Sequence, residues 1–182
     1  MNLEEKQLKA EYLYKGRIIN LRLDEALLPN GNTALREVVE HPGGVCVAAL
    51  TDNDEILMVK QFRYPYSEVV MEIPAGKRDK QNEDPLQCGI RELKEETGAK
   101  AENFISLGTL YPSPGYVGEI IWMYAATGLT FGENCPDEDE FLTAERVPLE
   151  KAVEMILSGE IKDAKTQAAV LKLKLLKDKG KI

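Results

Sequence analysis

The sequence predicts an α+β fold, an α/β/α sandwich built on a mixed β-sheet, with a small antiparallel β segment ahead of it. Three observations carry this expectation. Short runs of strand-like alternation separated by turn residues fill most of the chain, one helix with marked ends interrupts them, and two amphipathic helices close the sequence. Strands and helices mixed in this order pack as layers around one core.

The elements follow in order. Residues 17–28 and 34–40 alternate apolar and polar side chains on either side of Pro29-Asn30-Gly31-Asn32, which reads as a hairpin. Residues 45–50 form an apolar strand, Thr51-Asp52-Asn53-Asp54 a turn, and residues 55–63 a strand that delivers Gln61 and Arg63 at its end. A short strand over 69–73 runs into Pro74-Ala75-Gly76. Next comes a helix over 85–97. Asp84 suits its N-cap, Pro85 its first position, Gln87 a capping box and Gly98 its C-terminal stop. Strands are expected at 104–111, 120–127 and 141–147, and amphipathic helices at 149–157 and 167–176. Residues 1–15 are polar and Glu/Lys-rich and receive no element.

Composition narrows the function classes. A chain of 182 residues suits one globular domain with an elaboration, able to bury about 70% of its unfolded surface. A net charge of −8 argues against nucleic-acid and anionic-membrane binding, which rest on basic patches. With no 18-residue apolar run and no charged-then-apolar leader, the expected location is the cytoplasm. Cys46, Cys88 and Cys135 are widely spaced and odd in number, which suggests neither a disulfide framework nor a zinc ribbon. The single histidine, His41, sits before a Pro-Gly-Gly turn and is assigned no chemistry.

The helix over 85–97 concentrates acid. At ~100° per residue, Glu92 and Glu96 lie within about 40° of each other and Glu95 about 60° to the other side of Glu92. Leu86, Ile90, Leu93 and Thr97 fall on a separate stripe, expected to pack against the core. Arg91 and Glu95 are spaced i,i+4, so Arg91 can hold one carboxylate and leave Glu92 and Glu96 to a cation.

Gly76, Glu83, Arg91-Glu92-Leu93, Glu95-Glu96 and Gly98-Ala99 resemble the Nudix box, whose pattern is G-x5-E-x7-R-E-U-x-E-E-x-G-U with U apolar. The match is complete from Glu83 onward; between Gly76 and Glu83 stand six residues in place of five. Gln61-Phe62-Arg63, Glu72-Ile73-Pro74-Ala75-Gly76 and Ser113-Pro114-Gly115-Tyr116 with Glu119 are similar to the ADP-ribose pyrophosphatase branch of that family.

The resemblance implies a hydrolase of the diphosphate linkage of ADP-ribose or a related nucleoside diphosphate sugar, giving AMP and ribose 5-phosphate from ADP-ribose. Oxygen ligands and a charged diphosphate call for Mg²⁺ or Mn²⁺, two or three ions, on Glu92, Glu96, Glu95 and the carbonyl of Ala75. A base is expected in the acidic run Asp137-Glu138-Asp139-Glu140, with Glu138 favoured and Glu140 close behind, while Arg91 and Glu95 complete the catalytic set. Substrate contacts are expected from Arg63, Glu72, Ser113, Gly115 and Glu119. Tyr64, Tyr66 and Tyr116 can stack on adenine or simply pack. The branch further implies an N-terminal segment, residues 1–43, used in a homodimer, ahead of a hydrolase domain over 44–182. Alternatives are a non-catalytic nucleotide-binding sensor, or hydrolysis of a dinucleoside polyphosphate or an 8-oxo-nucleoside triphosphate. The intact Arg91, Glu92, Glu95 and Glu96 favour the enzyme.

Overall fold

The computed structural model describes residues 2–78, 83–132 and 141–182. Two compact units emerge, one running through Gly43 and taking in Tyr111–Ile120, the other made of Gly44–Leu110 and Ile121–Ile182. The return of Tyr111–Ile120 to the first unit is a feature that a linear division of the chain does not express.

In the first unit, β1 (Lys6–Lys15), β2 (Asn20–Leu27) and β3 (Thr33–Glu40) form an antiparallel sheet in the order β1-β2-β3. The β2–β3 turn closes because Gly31 takes φ +86° and Asn30 accepts the Asn32 amide through its side chain at 3.0 Å. Strand β1 went unpredicted for a physical reason. Every one of its ten residues is exposed, so no buried face imposes an apolar alternation that could be read. It pairs with β2 from Lys6↔Leu27 to Lys15↔Asn20. The segment Tyr111–Ile120 joins this unit through Val39, whose amide donates to the Tyr116 carbonyl and whose carbonyl accepts from Gly118, both at 2.8 Å.

The second unit contains β4 (Gly44–Ala49), β5 (Glu55–Arg63), β6 (Glu68–Glu72), β7 (Ala75–Lys77), α1 (Pro85–Thr97), β8 (Ala99–Leu110), β9 (Ile121–Phe131), β10 (Leu142–Pro148), α2 (Leu149–Leu157) and α3 (Ala164–Asp178). A mixed sheet runs β7-β4-β9-β8, with β4 and β9 parallel from Gly44↔Ile121 to Ala49↔Ala126, and an antiparallel sheet runs β10-β5-β6. Strand β4 explains the sandwich. All six of its residues are buried, which requires cover on both faces. Cys46 and Ala48 pack in a core shared with Ala169, Val170 and Leu173 of α3, whereas Val47 and Ala49 pack in a second core with Leu93 of α1.

Boundaries shift where capping acts. Gly98 takes φ +69° and turns α1 directly into β8, which starts at Ala99 and not near 104. Its first residues include exposed Lys100, Asn103 and half-buried Ala101, too polar a mix to be read as a strand. Helix α3 starts at Ala164, three residues early, because the Asp163 side chain caps it by accepting the Thr166 amide. Among the described residues no helix is long and apolar enough to cross a membrane.

Candidate active site

Helix α1 has the ends its sequence encodes: Asp84 accepts the Gln87 amide at 3.0 Å, Pro85 occupies the first turn, and the Gly98 amide donates to Lys94 O at 2.8 Å. Its packing face differs from expectation. Ile90 is 38% exposed, and the buried residues are Cys88, Gly89, Glu92, Leu93 and Glu96. A Cβ at Gly89 would lie 3.1 Å from Val45 and 3.2 Å from Val47, so the absence of a side chain there lets α1 settle closely onto β4. That close approach turns the acidic face inward.

Two carboxylates consequently lie against the backbone of β7. Glu92 sits over Gly76, where a Cβ would come 1.9 Å from its Oε1. One helical turn on, Glu96 Oε2 accepts the Ala75 amide at 3.1 Å. Strand β7 is itself held on β4 through Cys46↔Ala75 and Val45↔Gly76, and the Pro74 carbonyl accepts from Val47 at 2.9 Å. Arg91 gathers the flanking acids: Nη1 lies 2.9 Å from both Glu92 and Glu95, and Nε 3.5 Å from Glu83. Arg91 thus engages Glu92 as well as Glu95, a sharing that i,i+4 spacing alone does not reveal.

Among the described residues no group of three or more His, Cys, Asp or Glu side chains is gathered tightly enough to hold a metal. The donors beside β7 are the Glu92 and Glu96 carboxylates, and Arg91 Nη1 lies 2.9 Å from Glu92 as from Glu95. That hard-oxygen set, buried to 6% and 2% exposure, fits a divalent cation such as Mg²⁺.

A second ionic cluster stands at the ends of β5 and β6. Arg63 Nε and Nη2 meet the two oxygens of Glu72 at 2.6 and 2.7 Å, a bidentate pair. Lys165 also meets Glu72, and lies 3.1 Å from Asp163. Burial alone pushes the Glu72 carboxyl up, but Arg63 and Lys165 outweigh it and hold the group below its ordinary value of 4.5. Its stabilising contribution is therefore present above pH 4.5 and lost as pH falls through the lower folded value. Glu72→Gln is expected to cost about 3 kcal/mol at pH 7, the low end for breaking a buried pair because Arg63 is over a third exposed. Denaturation of both proteins at pH 7 and pH 3 checks this, with a gap that narrows in acid.

Ser113, Gly115 and Glu119 belong to the first unit, where the Ser113 carbonyl accepts the Val117 amide at 3.0 Å and Glu119 Oε1 lies 3.3 Å from His41 Nδ1. Glu138, Glu140 and Cys135 fall outside the described residues. Burial pushes the thiols of Cys46 and Cys88 up to about 12, so neither is a nucleophile near neutral pH. Sequence reasoning missed Lys165 and Asp163; a helix N-cap at Asp163 was the one signal available.

The NUDIX domain profile matches residues 40–170, and that of the nucleoside diphosphate sugar hydrolase N-terminal domain matches residues 5–39. The chain is 44% identical over 174 residues to a methanol dehydrogenase activator of Bacillus methanolicus, covering 94% of each. It is 43% identical over 176 residues to an ADP-ribose pyrophosphatase of Bacillus subtilis, covering 96% of this chain and 95% of the relative. A crystal structure of an ADP compounds hydrolase superposes with a TM-score of 0.85 over the whole of both chains at 21% identity, a likeness of fold.

Proposed function

Because this chain belongs to the Nudix family, we propose that it is a divalent-metal-dependent hydrolase of the diphosphate linkage of ADP-ribose or a related nucleoside diphosphate sugar, releasing AMP and ribose 5-phosphate from ADP-ribose. The observation that carries the reading is the burial of Glu92 and Glu96 against Ala75 and Gly76. Two buried carboxylates there form a hard-oxygen donor set of the kind a divalent cation takes.

Glu92 and Glu96, with the Ala75 carbonyl, would hold Mg²⁺ or Mn²⁺, and the two or three ions expected would draw also on Glu95. Such cations neutralise the diphosphate and activate water. Arg91 fixes the orientation of Glu92 and Glu95 through its shared guanidinium. Arg63, held cationic by its hydrogen bond to Glu72, presents positive charge to a phosphate oxygen, and Glu72 is assigned with it to the substrate site. Ser113, Gly115 and Glu119 are assigned to substrate. Glu138, with Glu140 as second choice, is the proposed base; Glu138→Gln is expected to lower kcat by on the order of 10²–10⁴-fold and to flatten the acidic limb of the pH profile.

The protein is proposed to act in the cytoplasm as a homodimer formed through its N-terminal sheet. Leu8, Leu13, Tyr14 and Leu35 each expose more than half their surface there, apolar side chains that a second copy of the chain would cover. Deleting the residues before Gly44 should convert a dimer into a monomer by solution mass, and a monomer before and after would remove the dimer.

Incubation with Mg²⁺ and a panel of ADP-ribose, UDP-glucose, NADH, a diadenosine polyphosphate and 8-oxo-dGTP tests the reaction. AMP is expected to appear fastest from ADP-ribose and to cease with excess EDTA. Tight ADP-ribose binding with no turnover of any compound would replace the enzyme by a nucleotide-binding sensor.

A further inference from the structure

Lys165 is a half-buried cation to which the proposed reaction gives no role. Its side chain is 13% exposed, and its ammonium meets Glu72 Oε2 and Asp163 Oδ1. Burial pushes its pKa down, yet Asp163 and Glu72 together raise it above the ordinary lysine value, so the charge is kept. Asp163 is held in turn: its Oδ2 accepts both the Thr166 amide, at 2.9 Å, and the Thr166 hydroxyl, at 2.6 Å. The same hydroxyl oxygen accepts the Ile73 amide at 2.9 Å. The start of α3 is therefore tied to the end of β6 twice, through an ion pair at Glu72 and a hydrogen bond at Ile73. Two residues further on, the Ala75 amide donates to Glu96.

The charges of this cluster cancel: Arg63 and Lys165 are positive, Glu72 and Asp163 negative. Glu72 is divided between two cations, with Arg63 Nε and Nη2 on one side and Lys165 on the other. Nη1 of Arg63 lies outside that bidentate pair. Removal of the Lys165 charge leaves two carboxylates facing one guanidinium. The excess negative charge would then draw Arg63 inward and oppose an incoming diphosphate.

We propose that Lys165 is a positioning residue for the substrate's phosphate contact: by sharing Glu72 with Arg63 it fixes the guanidinium and keeps its outer edge available to a diphosphate oxygen. This rests on the reading of Arg63 as a substrate contact of a diphosphate hydrolase. Lys165 touches no substrate and acts only through Glu72 and Arg63.

The test is a double-mutant cycle on the full chain with Arg63→Met, Lys165→Met and the pair. Hydrolysis of ADP-ribose with Mg²⁺ and its dissociation constant in EDTA are both measured. Lys165→Met is expected to raise KM and Kd on the order of 10- to 100-fold with kcat changed less than about threefold, the signature of lost uniform binding. In the Arg63→Met background the same substitution should add less than about twofold, because its target is gone. Lys165→Gln supports the same comparison where the Met variant does not fold. A fall in melting temperature with KM unchanged, a loss confined to kcat, or additive effects in the cycle would overturn the assignment. If the wild-type protein hydrolyses ADP-ribose and the cycle is additive, only this inference falls. If it neither binds nor hydrolyses any compound of the panel, the reading of the site falls, and this with it.

Discussion

Glu96→Gln is expected to lower kcat by on the order of 10²–10⁴-fold at saturating Mg²⁺ while leaving the fold intact. The substitution keeps the size of a side chain only 2% exposed, and the Gln carbonyl can still accept the Ala75 amide that Glu96 Oε2 accepts at 3.1 Å. What it removes is one negative charge from the pair facing β7. A neutral amide is a poorer ligand for a hard divalent cation than a carboxylate, so the cost falls on the metal and on the charge that develops at phosphorus. Steady-state kinetics across a Mg²⁺ titration, with a melting curve for each protein, separate this from unfolding. Near-wild-type turnover would remove Glu96 from the metal set.

The second large effect is expected at Gly76. In Gly76→Ala the new methyl would stand 1.9 Å from Glu92 Oε1, 2.0 Å from its Cδ and 2.4 Å from Oε2. No real contact is that short, so the Glu92 carboxylate must swing away. It has little room to do so, being 6% exposed and held by Arg91 Nη1 at 2.9 Å. Displacement of about 1 Å at a reacting centre costs on the order of 10²-fold in kcat/KM. A rise of about 10-fold or more in the Mg²⁺ needed for half-maximal activity should accompany it. The readout is again a metal titration. Unchanged activity with an unchanged Mg²⁺ requirement would mean that the position of Glu92 carries no function.

Much of the site was legible because its signals are local. Asp84, Pro85 and Gly98 set the ends of α1 through capping chemistry that acts within one turn, and the spacing of Glu92 and Glu96 placed both on one face. The direction of that face was not legible. Leu86, Ile90, Leu93 and Thr97 form the more apolar stripe, yet Ile90 is exposed while Glu92 and Glu96 are buried. The close approach of Gly89 to Val45 and Val47 decides the orientation, and neither valine is near it in sequence. Strand β1 was invisible for the opposite reason: with no buried face, nothing in its side chains records its pairing.

The sequence by itself determined the α+β class, the succession of elements from the hairpin to α3 apart from β7, which it read as a turn, and the carboxylate spacing of α1, because turn, cap and periodicity preferences act over a few neighbouring residues. Only the tertiary structure decided that the acidic face packs inward on Ala75 and Gly76, that Arg91 is shared between Glu92 and Glu95, and that Lys165 divides Glu72 with Arg63. Glu72 and Lys165 stand 93 positions apart in the chain, and an ion pair between such residues exists only once two elements have closed a core between them.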